Sequence, residues 1–235
     1  MLVCNHIVKK YASCVAVDDI SLNIEDGKVY ALLGPNGSGK TTLMKMIMGL
    51  TMPSQGLITL DGRPYTKETK SQVVYMPTEN YFFPYMKIKD VVKYQKDFYE
   101  DFSESEFERL LDRMQLRFSD KVRNMSTGML AKLKIAVALA RNARIVMLDE
   151  PLNGIDILAR EVIIDAIKEG ANGNRTMIVS SHLVDELEQV VDGAIFIRNG
   201  QLITQVDMAQ VRAGNGSLVD MYKEIYGYGG GAYNV

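Results

Sequence analysis

Apolar residues are spread along this chain in two textures. At the start they gather in short runs rich in β-branched residues, at 2–10, 15–25, 29–33 and 56–61, which predict strands. Asp26-Gly27 and Asp61-Gly62 bring residues that tolerate positive φ, the chemistry of hairpin turns. From 87 to 141 the apolar positions are spaced among charges, as in K-D-V-V-K-Y-Q-K-D-F-Y and S-E-S-E-F-E-R-L-L-D-R-M, and predict helices. Ser103 with Glu106 reads as a capping box at the head of the second. Strand texture returns at 145–148 and 176–180, then at 194–198 and 201–206 around Asn199-Gly200. Strands alternating with helices predict an α/β fold. Residues 80–140 read as a helical subdomain inserted into a core formed by 1–79 and 141–235, and the Gly-rich end, 227–235, reads as mobile. There is no internal repeat.

Composition narrows the picture without deciding it. The 235 residues carry 24% charged and 47% hydrophobic side chains with a net charge of -2, which predicts a soluble globular chain with no overall pull toward nucleic acid. Cys4 and Cys14 lack metal-ligand spacing and are too few for a disulfide scaffold, which fits a reducing compartment. The first residues lack the basic segment and apolar core of a signal peptide. No apolar run outlasts 135–140, far below the roughly 20 residues that span a bilayer. Membrane attachment is therefore expected only through a partner.

Chemistry enters at the end of the strand at 29–33. There the chain runs into G-P-N-G-S-G-K-T-T and then an amphipathic helix, matching G-x-x-x-x-G-K-[ST] in its strand–loop–helix setting. The candidate phosphate-binding residues are Gly34, Pro35, Asn36, Gly37, Ser38, Gly39, Lys40, Thr41 and Thr42. The glycines let the backbone turn its N–H groups toward phosphates, Lys40 reaches the β- and γ-phosphates, and the Thr41 hydroxyl is a ligand for Mg2+. A second element, R-I-V-M-L-D-E-P, is a buried strand ending in two carboxylates. Asp149 suits Mg2+ ligation as in a Walker B motif, and Glu150 suits proton acceptance from an attacking water. His182 closes another apolar strand, and in open α/β sheets ligands gather beyond the carboxyl ends of strands. A polar turn, Ser126-Thr127-Gly128, opens a further helical pattern and offers a second anion site, since helix N-termini leave N–H groups unpaired.

With these motifs in this order, the sequence resembles the nucleotide-binding subunit of an ABC transporter over nearly its whole length. The fold implied is a P-loop NTPase core with a mixed sheet, an N-terminal antiparallel β subdomain and an inserted α-helical subdomain. Met125-Ser126-Thr127-Gly128-Met129 resembles the family's signature, commonly L-S-G-G-Q, which closes on the ATP of a partner subunit. The resemblance implies that Ser126 and Gly128 contact that ATP, that Tyr11 stacks on adenine, and that Asp156, in N-G-I-D, organises the contact between subunits. It makes His182 the residue that meets the γ-phosphate. ATP and Mg2+ are the implied cofactors. The implied partners are a second cassette, identical or paired, and a separate membrane permease that would hold the protein at the cytoplasmic face and be driven in export. An ATPase acting on DNA or ribosomes is the alternative, though such relatives carry long insertions or two cassettes. A stand-alone kinase is a third, against which the signature-like turn and the Asp-Glu pair argue.

The chain departs from the family pattern in three places. Thr127 and Met129 replace a glycine and a glutamine of the signature. In V-Y-M-P-T-E-N, Thr78 stands where the family commonly has a glutamine that meets Mg2+, and Glu79 follows. Glu79 has the reach to take over that metal contact, while Thr78 is too short. The nearby Y-F-F-P-Y, 81–85, reads as core or as part of a groove for a permease helix.

Overall fold

The structure is a computed structural model that describes residues 1–171 and 175–227. The Gly-rich end beyond Gly227 lies outside the described residues. In chain order the strands are β1 (Leu2–Tyr11), β2 (Cys14–Ile24), β3 (Val29–Leu33), β4 (Gln55–Leu60), β5 (Arg63–Pro64), β6 (Val73–Met76), β7 (Ile145–Asp149), β8 (Thr176–Ser181), β9 (Gly193–Arg198) and β10 (Gln201–Asp207). The helices are α1 (Lys40–Ile47), α2 (Lys67–Ser71), α3 (Ile88–Phe98), α4 (Glu104–Arg113), α5 (Thr127–Leu139), α6 (Ile157–Gly170), α7 (Val184–Glu188), α8 (Met208–Ala213) and α9 (Leu218–Gly227).

The strands form two sheets. One is antiparallel, in the order β2-β1-β4-β5. The other runs β10-β9-β3-β8-β7-β6 and is parallel except for its β9–β10 hairpin. This is the α/β fold with a mixed sheet and an N-terminal antiparallel layer that the sequence predicts. Asp61-Gly62 and Asn199-Gly200 make the expected hairpin turns, with positive φ at all four residues. Asp26-Gly27 does not. It carries the chain from β2 in one sheet to β3 in the other, because β3 finds its partners in β8 and β9. The strand β6 was not predicted: its four residues are too few to show a period and run straight into proline.

β3 is buried on both faces, as a central parallel strand must be. Tyr30 and Leu32 face a core shared with the antiparallel sheet and α1, while Ala31 and Leu33 face a second core built with the helices. α5 explains the long apolar run of the sequence, for it buries residues around its whole circumference, among them Leu133, Ile135, Ala136 and Val137. Ser103 caps α4 by accepting from Glu106 N at 3.3 Å, but the reciprocal half of the capping box is missing. The Glu106 carboxylate is drawn instead to Arg109. At the far end of the chain, α9 returns to the beginning. The Tyr226 hydroxyl lies 3.1 Å from the Leu33 carbonyl and 2.9 Å from that of Ile197, and Arg198 donates to the Ile225 carbonyl. Among the described residues, no helix is long and apolar enough to cross a membrane.

Arg144, just before β7, pins the two sheets together. It donates to Asp61 at 2.5 and 2.9 Å and to Asp26 at 2.7 Å. Hydrogen bonds from Arg144 and then from the Met1 amino group hold Asp61 well below the ordinary carboxylate value of 3.8. For Asp26 burial works the other way, but the same two donors outweigh it. Depressed carboxylates stabilise the fold above their unfolded pKa and lose that contribution as pH falls through the folded value. Arg144→Met is therefore expected to lower stability at pH 7. In urea titrations its deficit against wild type should shrink below pH 3.8 and at high salt, because these groups are exposed and screened. A deficit independent of both would assign the effect to packing of the side chain.

Candidate nucleotide-binding site

The phosphate loop sits between β3 and α1, where the sequence puts it. Gly39 takes φ +104, and a Cβ there would stand 2.4 Å from the Ala16 carbonyl, so the loop can pass the β1–β2 hairpin only with glycine. α1 starts at Lys40 with no side-chain cap, which leaves its first N–H groups and the positive end of its dipole facing the loop. Lys40 Nζ curls back over the loop and donates to the carbonyls of Gly34 (2.8 Å) and Pro35 (3.3 Å). Ser38 Oγ is buried inside the loop with no hydrogen-bond partner. A buried hydroxyl costs free energy until something accepts or donates there, and a phosphate oxygen would do so. A cavity of about 320 Å3 opens over this loop, lined by residues 36–42 with Ala16, Thr78, Glu150 and Asn153.

Asp149 ends β7 fully buried. Its carboxylate accepts from three hydroxyls: Thr41 (2.8 Å) and Tyr75 (2.9 Å) on Oδ2, and Ser180 (2.6 Å) on Oδ1. Burial, then the charge of Asp149, holds the Tyr75 phenol well above its ordinary range, so it stays a donor. A carboxylate and a threonine hydroxyl in contact are hard oxygen donors of the kind Mg2+ takes, with its other positions left to phosphate and water. Among the described residues no three His, Cys, Asp or Glu side chains gather to hold a metal by themselves. Thr41 and Asp149 thus fit a cation that arrives with a nucleotide.

Glu150 is next in line and takes φ +49, a conformation rare for a side-chain-bearing residue. Ser180 Oγ accepts its N–H at 2.9 Å. The turn aims the carboxylate at the loop: Oε2 is 2.9 Å from His182 Nδ1, and Oε1 is buried without a hydrogen bond, 3.7 Å from Lys40 Nζ. The structure thus brings Lys40, Thr41 and Glu150 together in the lining of one cavity, with Asp149 bonded to Thr41 and His182 beside Glu150 just behind it.

The remaining predicted residues lie elsewhere. Tyr11 is half exposed on the β1–β2 hairpin that also carries Ala16, with Lys9 Nζ 5.2 Å from its ring centre. Ser126 caps α5 by accepting from Met129 N at 3.2 Å. Gly128 faces Asp156 and Ala159, and Asp156 caps α6 by accepting from Ala159 N at 2.9 Å. Ser126, Gly128 and Asp156 are absent from the lining of the phosphate-loop cavity. Thr78 lines it and donates to the Asp149 carbonyl at 3.3 Å, whereas Glu79 is exposed and outside it.

The sequence pattern that defines the ABC transporter family matches residues 17–153. The chain belongs to the ABC transporter family. The lantibiotic transport ATP-binding protein SrtF of Streptococcus pyogenes is 31% identical over 207 residues, which are 87% of this chain and 90% of SrtF. A solved ATP-binding subunit of an ABC transporter superposes with a TM-score of 0.84 at 25% identity, covering 96% of this chain and 99% of its own. A dimeric ATP-binding cassette in a post-hydrolysis state with ADP and Pi shares the fold, with a TM-score of 0.78 at 21% identity over 88% of this chain and 99% of its own. As a member of the ABC transporter family the chain is an ATP-binding ATPase subunit.

Three residues of this ABC subunit's site escaped the sequence reading. Ser180 and Tyr75 hold Asp149, and Lys134 holds the loop beside it, with Nζ donating to the carbonyls of Pro77 (2.9 Å) and Thr78 (2.7 Å). The available signal for Lys134 was a charge at the edge of the longest apolar run, 135–140; burial lowers its pKa. Lys134→Met keeps the stem and removes both bonds. Charge-assisted bonds contribute about 1.5–3 kcal/mol each. Limited proteolysis within 77–80 is therefore expected to quicken by at least about tenfold, with β6 itself uncut. Unaltered cleavage would show the loop is held by Thr78 and its neighbours alone.

Proposed function

We propose that this subunit hydrolyses Mg-ATP as one of a head-to-tail pair and drives transport, in the export direction, through a separate membrane permease. The observation that carries the reading is the meeting of Glu150, His182 and Lys40 over the phosphate loop. Lys40, now satisfied by loop carbonyls, would turn to the β- and γ-phosphates. Glu150 would polarise the attacking water, with its strained backbone and the contact to His182 fixing the carboxylate, and His182 would meet the γ-phosphate. Mg2+, held by Thr41 and Asp149, would neutralise phosphate charge. Whether Glu79 joins it is open to direct comparison: on that assignment Glu79→Ala weakens Mg2+ dependence more than Thr78→Ala. The reverse order in Mg2+ titrations of hydrolysis would leave Glu79 a surface residue.

The pairing reading rests on Ser126, Gly128 and Asp156 forming a cluster of their own, away from the chain's own phosphate loop, and on the dimeric cassette that shares this fold. Tyr11 would stack on adenine. The permease reading rests on a large groove of about 960 Å3 lined by Met48, Val74, Tyr75, Tyr81, Phe98, Tyr99, Val137 and Arg141 among others. It is partly apolar, as a seat for an amphipathic helix would be, and reaches Pro77, next to Thr78 of the phosphate-loop cavity. The family relation to a lantibiotic transport protein supports export.

Glu150→Gln tests the catalytic assignment. It should leave ATP binding intact, slow hydrolysis at least about a hundredfold, and trap a dimer with ATP but not with ADP, seen by size-exclusion chromatography. Wild-type turnover would remove Glu150 from the role, and a monomer at saturating Mg-ATP would point to a non-identical partner cassette.

A further inference from the structure

Tyr75 belongs to two places at once. Its hydroxyl donates to Asp149 Oδ2, and the residue lies on β6, the edge strand of its sheet, where it forms part of the wall of the large groove. The other side chains that hold the Asp149 carboxylate, Thr41 and Ser180, do not line that groove. A carboxylate oxygen offers about two lone-pair positions. Oδ2 already accepts from Thr41 and Tyr75, so both of its positions are taken, whereas Oδ1 accepts from Ser180 and keeps one. For Oδ2 to serve a divalent cation or its hydration shell, one donor must leave. Thr41 is held in the first turn of α1, so Tyr75, at the rim of a groove, is the donor free to move.

We propose that Tyr75 is a positioning residue that carries the occupancy of the groove to the metal-binding carboxylate. A helix seated in the groove pushes against Tyr75 and draws its hydroxyl off Oδ2. A displacement of about 1 Å takes a 2.9 Å bond beyond hydrogen-bond range. The freed oxygen then binds the cation more tightly, and the site becomes competent when the membrane partner is engaged. This role of Tyr75 rests on the metal and groove assignments made above.

The test uses the full chain with Mn2+ as the probe, titrated at saturating ADP and read by electron paramagnetic resonance. Tyr75→Phe keeps the ring and removes only the hydroxyl, so Mn2+ should bind at least about threefold more tightly while metal-free ADP affinity stays at wild type, even though losing a donor to a buried carboxylate lowers the melting temperature. A purely structural tyrosine would leave Mn2+ affinity unchanged or weaken it, and either result overturns the proposal. The groove arm places a bimane label on Ser71→Cys, a groove residue, in a Cys14→Ser background. The label should tighten Mn2+ binding when Tyr75 is present and add nothing in Tyr75→Phe; an equal effect in both overturns the proposal. Asp149→Asn separates the layers. If it leaves Mn2+ affinity unchanged, the metal assignment falls and the Tyr75 proposal with it. A loss there without a gain in Tyr75→Phe overturns the Tyr75 proposal alone.

Discussion

The buried carboxylate of Asp149 is the constraint around which the rest of the molecule is arranged. An ionised carboxyl group out of contact with water is costly unless donors surround it. Here the donors come from three separate segments: Thr41 from the first turn of α1, Tyr75 from β6 and Ser180 from β8. Each stands near the carboxyl end of a strand or just past it. One anion therefore fixes the register in which β6, β7, β8 and the phosphate loop end together, and Ser180 passes the constraint to Glu150 by accepting its N–H. The positive φ of Glu150 follows as the geometry that lets two consecutive carboxylates serve different partners, one turned inward to hydroxyls and the other out toward Lys40 and His182.

The turn at Ser126 obeys a different logic. Ser126 caps α5, Asp156 caps α6, and the two helix starts lie close enough that Asp156 Oδ2 stands 3.5 Å from where a Gly128 Cβ would lie. The Asp156 carboxylate therefore faces the starts of two helices, where negative charge is favoured.

How much of this could be read from residues alone varies with the range of the interaction. The strand-end positions of the Gly34–Thr42 loop, the Asp149-Glu150 pair and His182 were legible because each is a local pattern. The fold class was legible for the same reason, since period and turn chemistry are local. Tyr75, Ser180 and Lys134 were not, because a tyrosine in a four-residue strand or a serine before a histidine gains meaning only when a partner far along the chain is placed beside it. Asp26-Gly27 was misjudged as a hairpin turn on sound turn chemistry. The choice between returning to β2 and crossing to another sheet is made by β8 and β9, which lie far downstream. The capping box at Ser103 failed in its second half because Arg109 competes for Glu106 on the same helix.

The position of β3 has a consequence for the order in which the protein comes into being. This strand is made early, yet both its neighbours, β8 and β9, belong to the last third of the chain, and the hydroxyl that meets its final carbonyl comes from Tyr226, 193 residues later. Until β8 and β9 have left the ribosome, five buried apolar residues and the start of the phosphate loop have no sheet to join. The antiparallel layer can pair earlier, since β1, β2 and β4 all lie within the first 60 residues. From the making of β4 to that of β9, a nascent subunit thus has a front that can pair, an unpaired strand behind it and no means of holding ATP. Non-local pairing of this kind is slow and leaves apolar strand edges open in the meantime. Nucleotide can be gripped only after β8 and β9 have been made.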